Sequence, residues 1–402
     1  MNEMIATSSS PRRIRHSNTI VALQTLFDYG SLSRAELARH LGLNRSSSGH
    51  IVAELVASAL VREVPDEGRR RESQARAGRP GILLELAPDA ALFVGAEIGV
   101  EHITTLQIDL AAEIVECRVE PFDGRAVGPE QAVAQAVTQA FEGMPADRLD
   151  RLEGFGLSAP AQMDREGLVR IAPLLGWKDV ELAALARSAL QRDVPIMVEN
   201  EANSFAFGES YRDRETRQGV TLFMVIETGV GGGIVIDGRL FRGGHGLAGE
   251  IGHLRLPTGE DLEQVLGLEH LMRRYSSVSD DAPVSLAGFL QDVRDREPRT
   301  VEIAEEWARN LAQAVAEACR LIDPNRIVLG GSVAALYPLV EARVAHHLGA
   351  AQAATFPVPE IILHRAAETG AAYGAACMLH RRFMSLENRH ITEQAMDDAS
   401  AG

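Results

Sequence analysis

The sequence predicts an α/β protein made of a small winged helix-turn-helix head and a larger two-lobed α/β body. Three observations predict it. Within the first 86 residues, a capping box, a turn glycine and an arginine-rich loop between two short strands follow one another. Two later stretches, Leu92–Val119 and Val220–Arg242, share one logic of strand, glycine-containing turn and strand. The second stretch carries Thr228-Gly229-Val230-Gly231-Gly232-Gly233 and is followed by Gly249-Glu250-Ile251-Gly252-His253.

Composition sets the bounds. At 402 residues with 46% apolar content, the chain has room for two or three domains with real cores. No run of about 18 apolar residues occurs, so no membrane span is expected. The opening MNEMIATSSSPRRIRHS lacks the apolar stretch of a signal peptide, and a cytoplasmic protein is expected. Cys117, Cys319 and Cys377 lie far apart and suggest neither a disulfide nor a metal-type pair. The net charge of −16 argues against a protein that coats nucleic acid. Residues 1–85, however, hold 12 Arg against 9 acidic residues, while the remainder is strongly acidic. A mildly basic head on an acidic body suits DNA contact by the head alone.

In the head, Asn18–Tyr29 has helical apolar spacing (Ile20, Leu23, Leu26, Phe27), and Gly30 stops it. Ser33-Arg34-Ala35-Glu36 reads as a capping box that opens a short helix carrying Leu37 and Leu41. Gly42 permits a tight turn, and Asn44 caps a further helix, Arg45–Leu60. This order makes a helix-turn-helix, whose last helix offers its first turns to the major groove. Those turns carry Arg45, Ser46, Ser47, Ser48 and His50, the candidate DNA contacts. Val61–Val64 and Ile82–Leu86 read as strands flanking a wing that ends Gly78-Arg79-Pro80. Arg79, held between Gly and Pro, is suited to a narrow A·T minor groove.

In the body, Gly154–Pro160 reads as a strand leaving into a loop, and Val194–Val198 as a strand closing with Glu199-Asn200-Glu201. Polar residues at a strand's end face the cleft of an α/β protein, so Asn200 and Glu201 are candidate sugar ligands. The alternative for Asn200 is a helix cap. Glycines let backbone amides approach a phosphate or a sugar, and Glu250 and His253 are spaced to bond adjacent hydroxyls. Asp237-Gly238 is a hairpin-type dipeptide. Arg326–Ser332 reads as a strand entering a glycine turn, either phosphate-contacting or purely structural. Glu302–Leu321 reads as an amphipathic helix.

The segment TLFMVIETGVGGGIVIDGRLFRGGHGLAGEIGHL, residues 221–254, resembles the signature of the ROK family of repressors, uncharacterised frames and sugar kinases. Ser33-Arg34-Ala35-Glu36-Leu37-Ala38 and Gly78-Arg79-Pro80 resemble the DNA-binding module of its repressor branch. The resemblance covers nearly the whole chain and implies an actin-like (ribonuclease-H-like) sugar kinase fold behind the head. The expected division is 1–86 for the head, 87–199 for a first lobe completed by a C-terminal helix near 367–383, 200–366 for a second lobe, and 384–402 for a tail.

Departures from the family's pattern direct the functional expectation. Family kinases carry Asp-x-Gly-Gly-Thr-Lys in the first hairpin, where this chain reads Glu97-Ile98-Gly99-Val100-Glu101-His102. The Lys is gone, and Glu101 adds a negative charge that opposes ATP. Glu201 stands at the family's catalytic Asp, and a carboxylate displaced by a bond length can cost about 100-fold in rate. Many members follow Gly-His with a cysteine-rich zinc motif, but the stretch after His253 here, LRLPTGEDLEQVLGLEHLMRR, holds no cysteine, so no metal site is expected. Leu268-Glu269 matches the family's Leu-Glu, which makes Glu269 the further sugar ligand, ahead of Glu263. Thr228, Gly229, Gly231 and Gly232 remain as a vestigial phosphate loop. The reading is thus a sugar-responsive transcriptional repressor, not an enzyme. It would take no cofactor and bind operator DNA as a homodimer or homotetramer, with Asn200, Glu201, Glu250, His253 and Glu269 around the sugar. The alternative is an ATP-dependent sugar kinase with a DNA-binding head and Glu201 as its base. A sugar that acts as corepressor is a third arrangement.

Overall fold

The computed structural model describes residues 11–66, 82–212, 216–279, 283–352, 355–364 and 367–385. Its first unit is a helical cluster closed by a small sheet. Helix α1 (Pro11–Tyr29) leads to strand β1 (Leu32–Ser33) and helix α2 (Arg34–Leu41). The capping box forms: Glu36 N–H donates to Ser33 Oγ at 3.2 Å, and Ser33 N–H donates to the Glu36 carboxylate at 2.9 Å. Gly42 takes the left-handed conformation that ends α2. Helix α3 (Arg45–Ala57) starts at Asn44, whose side chain accepts from Ser47 N–H at 2.9 Å. It ends three residues before the expected Leu60, because Ala59 turns to positive φ and Leu60 N–H bonds back to Leu55. Strands β2 (Val61–Pro65) and β3 (Ile82–Leu86) pair antiparallel, and β1 adds itself to β3. Leu23, Leu26, Leu37, Ile51, Leu55 and Leu84 fill the interior.

The body repeats one topology twice. In the first sheet, β4 (Leu92–Ile98), β5 (His102–Asp109) and β6 (Ile114–Pro121) form an antiparallel meander. Strands β7 (Leu152–Ala159) and, later, β11 (Ile196–Asn200) then add parallel on the other side of β4. Helices α4 (Pro129–Phe141) and α5 (Ala146–Leu149) connect β6 to β7. A small antiparallel sheet of β8 (Gln162–Met163), β9 (Val169–Ala172) and β10 (Trp177–Val180) precedes α6 (Leu182–Leu190).

The second sheet follows helix α7 (Glu201–Arg212). It has the same meander, β12 (Val220–Ile226), β13 (Val230–Ile236) and β14 (Arg239–Leu240). Helices α8 (Leu262–Leu266), α9 (Leu268–Ser276), α10 (Leu286–Arg294) and α11 (Pro298–Ile322) come next. Strand β15 (Arg326–Gly330) then pairs parallel to β12. After α12 (Tyr337–Ala351), β16 (Glu360–Leu363) pairs parallel to β15. The repeat read from Leu92–Val119 and Val220–Arg242 is therefore a repeat of whole sheets. Both residues of the Asp237-Gly238 turn have positive φ, which matches the twist of a two-residue hairpin.

Helix α11 extends the expected Glu302–Leu321 by a turn at its start and buries Ile303, Trp307, Leu311 and Val315 along one face. The last helix, α13 (Ala367–Phe383), does not stay with the second sheet; it crosses back onto β4, β5 and β7 of the first and packs along α7. The α7–α13 seam is tight: a Cβ on Gly374 would strike the backbone of Ser204, and one on Gly208 would strike Gly374.

The head is not tethered by a free linker. One apolar cluster runs from Leu23, Leu26 and Leu84 through Phe93 to Phe207, Cys377 and Phe383. Phe27 stacks on Tyr211 with ring centroids 5.1 Å apart and lies 5.0 Å from the His380 ring. Gln24 donates to the carbonyl of buried Met384, and Arg217 pairs with Asp28 at 2.9 Å. His380 is fully buried between Tyr211 Oη (2.7 Å) and the Leu110 carbonyl (2.9 Å). Burial holds its imidazole down near pKa 4, so it is neutral at ordinary pH. Of the expected tail, 384–402, Met384 is instead buried in this shared core, and residues 386–402, with most of the wing, lie outside the described residues.

Candidate functional site

Two groups of side chains meet where the lobes face each other. The first joins β8 of the first lobe to the segment after β14 in the second. Gln162 Nε2 donates to Glu250 at 3.3 Å and lies 2.8 Å from His253 Nε2. His253 Nδ1 is 3.7 Å from Glu263 on α8. The Nδ1 edge of the ring thus faces the Glu263 carboxylate and its Nε2 edge faces Gln162. Burial raises the Glu250 carboxyl above its ordinary range, and the bond from Gln162 partly offsets this. Glu250, His253 and Glu263 each keep exposed surface, so hydroxyl-bonding capacity remains.

The second group surrounds the start of α7. Asn200 closes β11 and caps α7: its Oδ1 accepts from Asn203 N–H at 3.0 Å, and its Nδ2 donates to the Ala161 carbonyl at 2.9 Å. The cap reading of Asn200 is thus realised, and one amide hydrogen is left for a ligand. Buried Glu199 accepts from Arg242 Nε at 2.8 Å and from Asn203 at 3.2 Å, which ties the loop after β14 to the end of β11. Glu201, half-buried, opens α7. Glu97, near the end of β4, and Glu227, just after β12, lie close enough to Glu201 for their charges to interact with it. Burial is the main cause that raises all three carboxyls; repulsion from Glu201 and Glu227 adds to it at Glu97 and from Glu227 at Glu201, while bonds from Ser332 partly offset it at Glu227. Glu201 is pushed up to about 7. Glu97 is 4% exposed and its Oε2 has no hydrogen-bond partner; His102 Nε2 stands 4.0 Å from its other oxygen.

These shifts predict a pH effect. An unfolded chain ionises Glu201 near pH 4.3, whereas the fold holds it protonated to about 7. Its contribution is fully present below the unfolded value and is lost as pH rises through the folded one. Glu201→Gln is therefore expected to melt higher than wild type at about pH 8, by on the order of 1–3 kcal/mol, and no higher at about pH 4. A thermal melt at both pH values checks this, and equal melts at pH 8 would refute it.

Several expected residues are placed differently. Glu269, at the start of α9, is 63% exposed and forms an ion pair with Arg125 of the first lobe at 2.6 Å. No described contact links it to Glu250 or His253; Glu263 is the glutamate joined to that group. The register of α8 decides this, since Glu263 sits in its first turn facing His253. Of the vestigial phosphate loop, only Thr228 and Gly229 form a turn. Gly231 and Gly232 lie inside β13, paired with Val225 and Met224, where their missing side chains admit Ala202 and Gly249. Sequence reasoning missed Gln162 and Glu227. The signal for Gln162 was its place just past the strand exit at Pro160; for Glu227, its place at the head of the glycine run.

In the head, Arg45, Ser46, Ser47 and His50 are exposed on the first turns of α3. Ser48 is a correction. At 2% exposure it faces the interior with Ile51, Val52 and Leu55, as helical spacing from those apolar positions requires. Arg79 lies outside the described residues. Among the described residues, no group of three His, Cys, Asp or Glu side chains is arranged to hold a metal ion, and no helix is long and apolar enough to cross a membrane.

Residues 93–382 match the ROK family model. The chain belongs to the ROK family. It is similar to a xylose repressor from Caldicellulosiruptor bescii, 25% identical over 62% of this chain and 61% of that protein. It thus spans about three fifths of that relative's length. Among solved structures, a ROK family transcriptional regulator described as a homolog of the E. coli MLC protein superposes with a TM-score of 0.73 at 20% identity, over 92% of this chain and 97% of that one. A ROK family glucokinase from Streptomyces griseus, in complex with glucose and AMPPNP, superposes with a TM-score of 0.62 at 25% identity, over 72% and 99%. The ROK body accordingly has the actin-like α/β fold, which that transcriptional regulator and that glucokinase share.

Proposed function

We propose that this protein is a sugar-responsive transcriptional repressor. Its head is a winged helix-turn-helix that presents Arg45, Ser46, Ser47 and His50 to operator DNA, with Arg79 in the wing. Its sugar lies between the lobes against Asn200, Glu201, Glu250 and His253, with Gln162 and Glu263 added and Glu269 at the rim. Each offers a hydrogen bond to a hydroxyl-rich ring, and a partner left unpaired in such a site costs about 1–3 kcal/mol. It needs no metal or nucleotide, and it acts as a homodimer or homotetramer whose two heads meet a palindromic operator.

The observation that carries this reading is helix α7. Its N-terminus bears Asn200 and Glu201, and its last turn bears Tyr211, stacked on Phe27 of the head. Twelve helical residues span about 18 Å, and the glycine seam with α13 leaves that rod little play. A sugar that shifts the start of α7 therefore shifts the seat of the head. Such a ligand acts only through different affinities for two arrangements, so operator DNA must weaken sugar binding by the factor with which sugar weakens operator binding.

The test is a fluorescence-anisotropy titration on DNA from around the protein's own gene, with xylose first and then other neutral sugars. A specific complex released by one sugar is the expected result. A specific complex that no sugar releases, together with sugar-dependent ADP release that Glu201→Ala abolishes, would establish the kinase instead.

A further inference from the structure

We infer that β6, the exposed edge of the first sheet, pairs antiparallel with β6 of a second copy of this chain about a two-fold axis at Cys117. The inference deepens the proposed homo-oligomer and rests on that reading only for the presence of a second copy.

Strand β6 ends its sheet, with β5 as its one strand partner among the described residues. The other edge strands of the two large sheets are short: five residues in β11, two in β14 and four in β16. Strand β6 has eight residues, and its proline stands at the last of them. That is about 27 Å of open edge. Edges are ordinarily kept short or interrupted, because an open ladder recruits another strand.

The two faces of β6 differ. Glu116 and Arg118 point toward α4 and α5: Arg118 donates to the Glu142 carbonyl at 3.2 Å, and Arg148 donates to Glu116 at 2.9 Å. Val115, Cys117 and Val119 alternate with them and lie on the opposite face. Leu106, directly across from Cys117, is buried on that face in the cluster that holds α13. Helix α13 packs on β4, β5 and β7, and Val115 and Val119 are each left 44% exposed. An apolar row that starts beneath α13 thus runs out to an uncovered edge.

Charge selects the occupant and the register. Each face stays continuous across two antiparallel copies only if the axis passes at a residue and not between two. With the axis at Cys117, Val115 meets the partner's Val119, Glu116 meets the partner's Arg118, and the two Cys117 residues meet each other. An axis at Glu116 sets two Glu116 carboxylates against each other. An axis at Arg118 opposes two guanidiniums and sets Glu116 against the partner's Glu120. Unlike charges across a strand pair stabilise it and like charges destabilise it. Cys117 is also near the middle of β6, so nearly the whole strand pairs. Such an interface uses the same patch on both copies and closes on itself.

The experiment uses the full-length protein and its own cysteine. Cys117 is exposed while Cys319 and Cys377 are buried, so a short bismaleimide reports on Cys117. The two Cys117 Cα atoms would stand about 4.5–5.5 Å apart. The expected result is a covalent dimer on a denaturing gel, absent in Cys117→Ser. In the Cys117→Ser background, a mixture of Val115→Cys and Val119→Cys chains is expected to cross-link. Neither does so alone, since like positions lie about 14 Å apart along the strands. Arg118→Glu puts like charges opposite each other and should weaken this association by about 10-fold or more in sedimentation equilibrium; adding Glu116→Arg should restore it. An oligomer that gives no Cys117 cross-link overturns the inference and leaves the homo-oligomer reading standing. Single cysteine variants that cross-link as readily as their mixture overturn the register and the inference with it. A Cys117 cross-link in a protein that binds no operator DNA counts against the repressor reading and leaves the β6 pairing supported.

Discussion

Phe27→Ala combined with Asp28→Ala is expected to leave operator binding in place while removing most of the sugar's effect on it. These side chains are the head's contacts with Tyr211, His380 and Arg217. The head keeps a core of its own in Leu23, Leu26, Leu37, Leu55 and Leu84, so it still folds. The residues on α3 proposed to face DNA are on another helix and are untouched. What is lost is the stack that makes the head follow the end of α7. Allosteric coupling between two sites amounts to about 1–3 kcal/mol, so the sugar-induced change in operator affinity should shrink by about 5- to 150-fold. Anisotropy titrations with and without sugar measure it directly. If the double variant still releases DNA on sugar addition as wild type does, α7 is not the connection and coupling runs through the rest of the shared core.

Gly374→Val has the largest expected effect on stability. A Cβ there meets the Ser204 backbone carbonyl, and neither α7 nor α13 can yield without disturbing the other's packing on β4, β7 and β13. Overpacking of this kind costs about 3 kcal/mol or more, at the upper end of measured values. Because the same displacement moves Asn200 and Glu201, sugar affinity should fall together with the melting temperature. Gly349→Ala is the control. It lies on the exposed side of α12 with nothing within 4 Å of a new Cβ, so removing a flexible glycine should stabilise by about 0.5–1 kcal/mol. A Gly374→Val variant that melts like wild type would show that the seam has slack.

Much of the head was legible because its signals are local. A capping box at Ser33–Glu36, a left-handed Gly42 and an Asn44 cap each act within four residues, and each formed. Where the reading slipped, the decisive neighbour was also near but less visible. Ser48 looked available for DNA because serines at a helix start usually are, yet Ile51, Val52 and Leu55 fix which face of α3 is inward, and Ser48 shares it.

The sequence by itself determined the two-sheet repeat, the positions of most strands and helices, and the family's glycine-rich wording, because all of these follow from periodicity and backbone geometry along the chain. It also offered Asn200, Glu201, Glu250 and His253 as candidate sugar ligands. Only the tertiary structure decided which groups meet. Gln162 reaches His253 across 91 positions, Glu227 reaches Ser332 across 105, and Gln24 reaches Met384 across 360. It also set Glu263 against His253 and Glu269 against Arg125, and it fused the head to the body through Phe27 and Tyr211. The physical reason is that a hydrogen bond or a ring stack depends on a few ångströms of separation in space. Local propensity carries no record of that separation when the partners are brought together by the packing of two sheets around one helix.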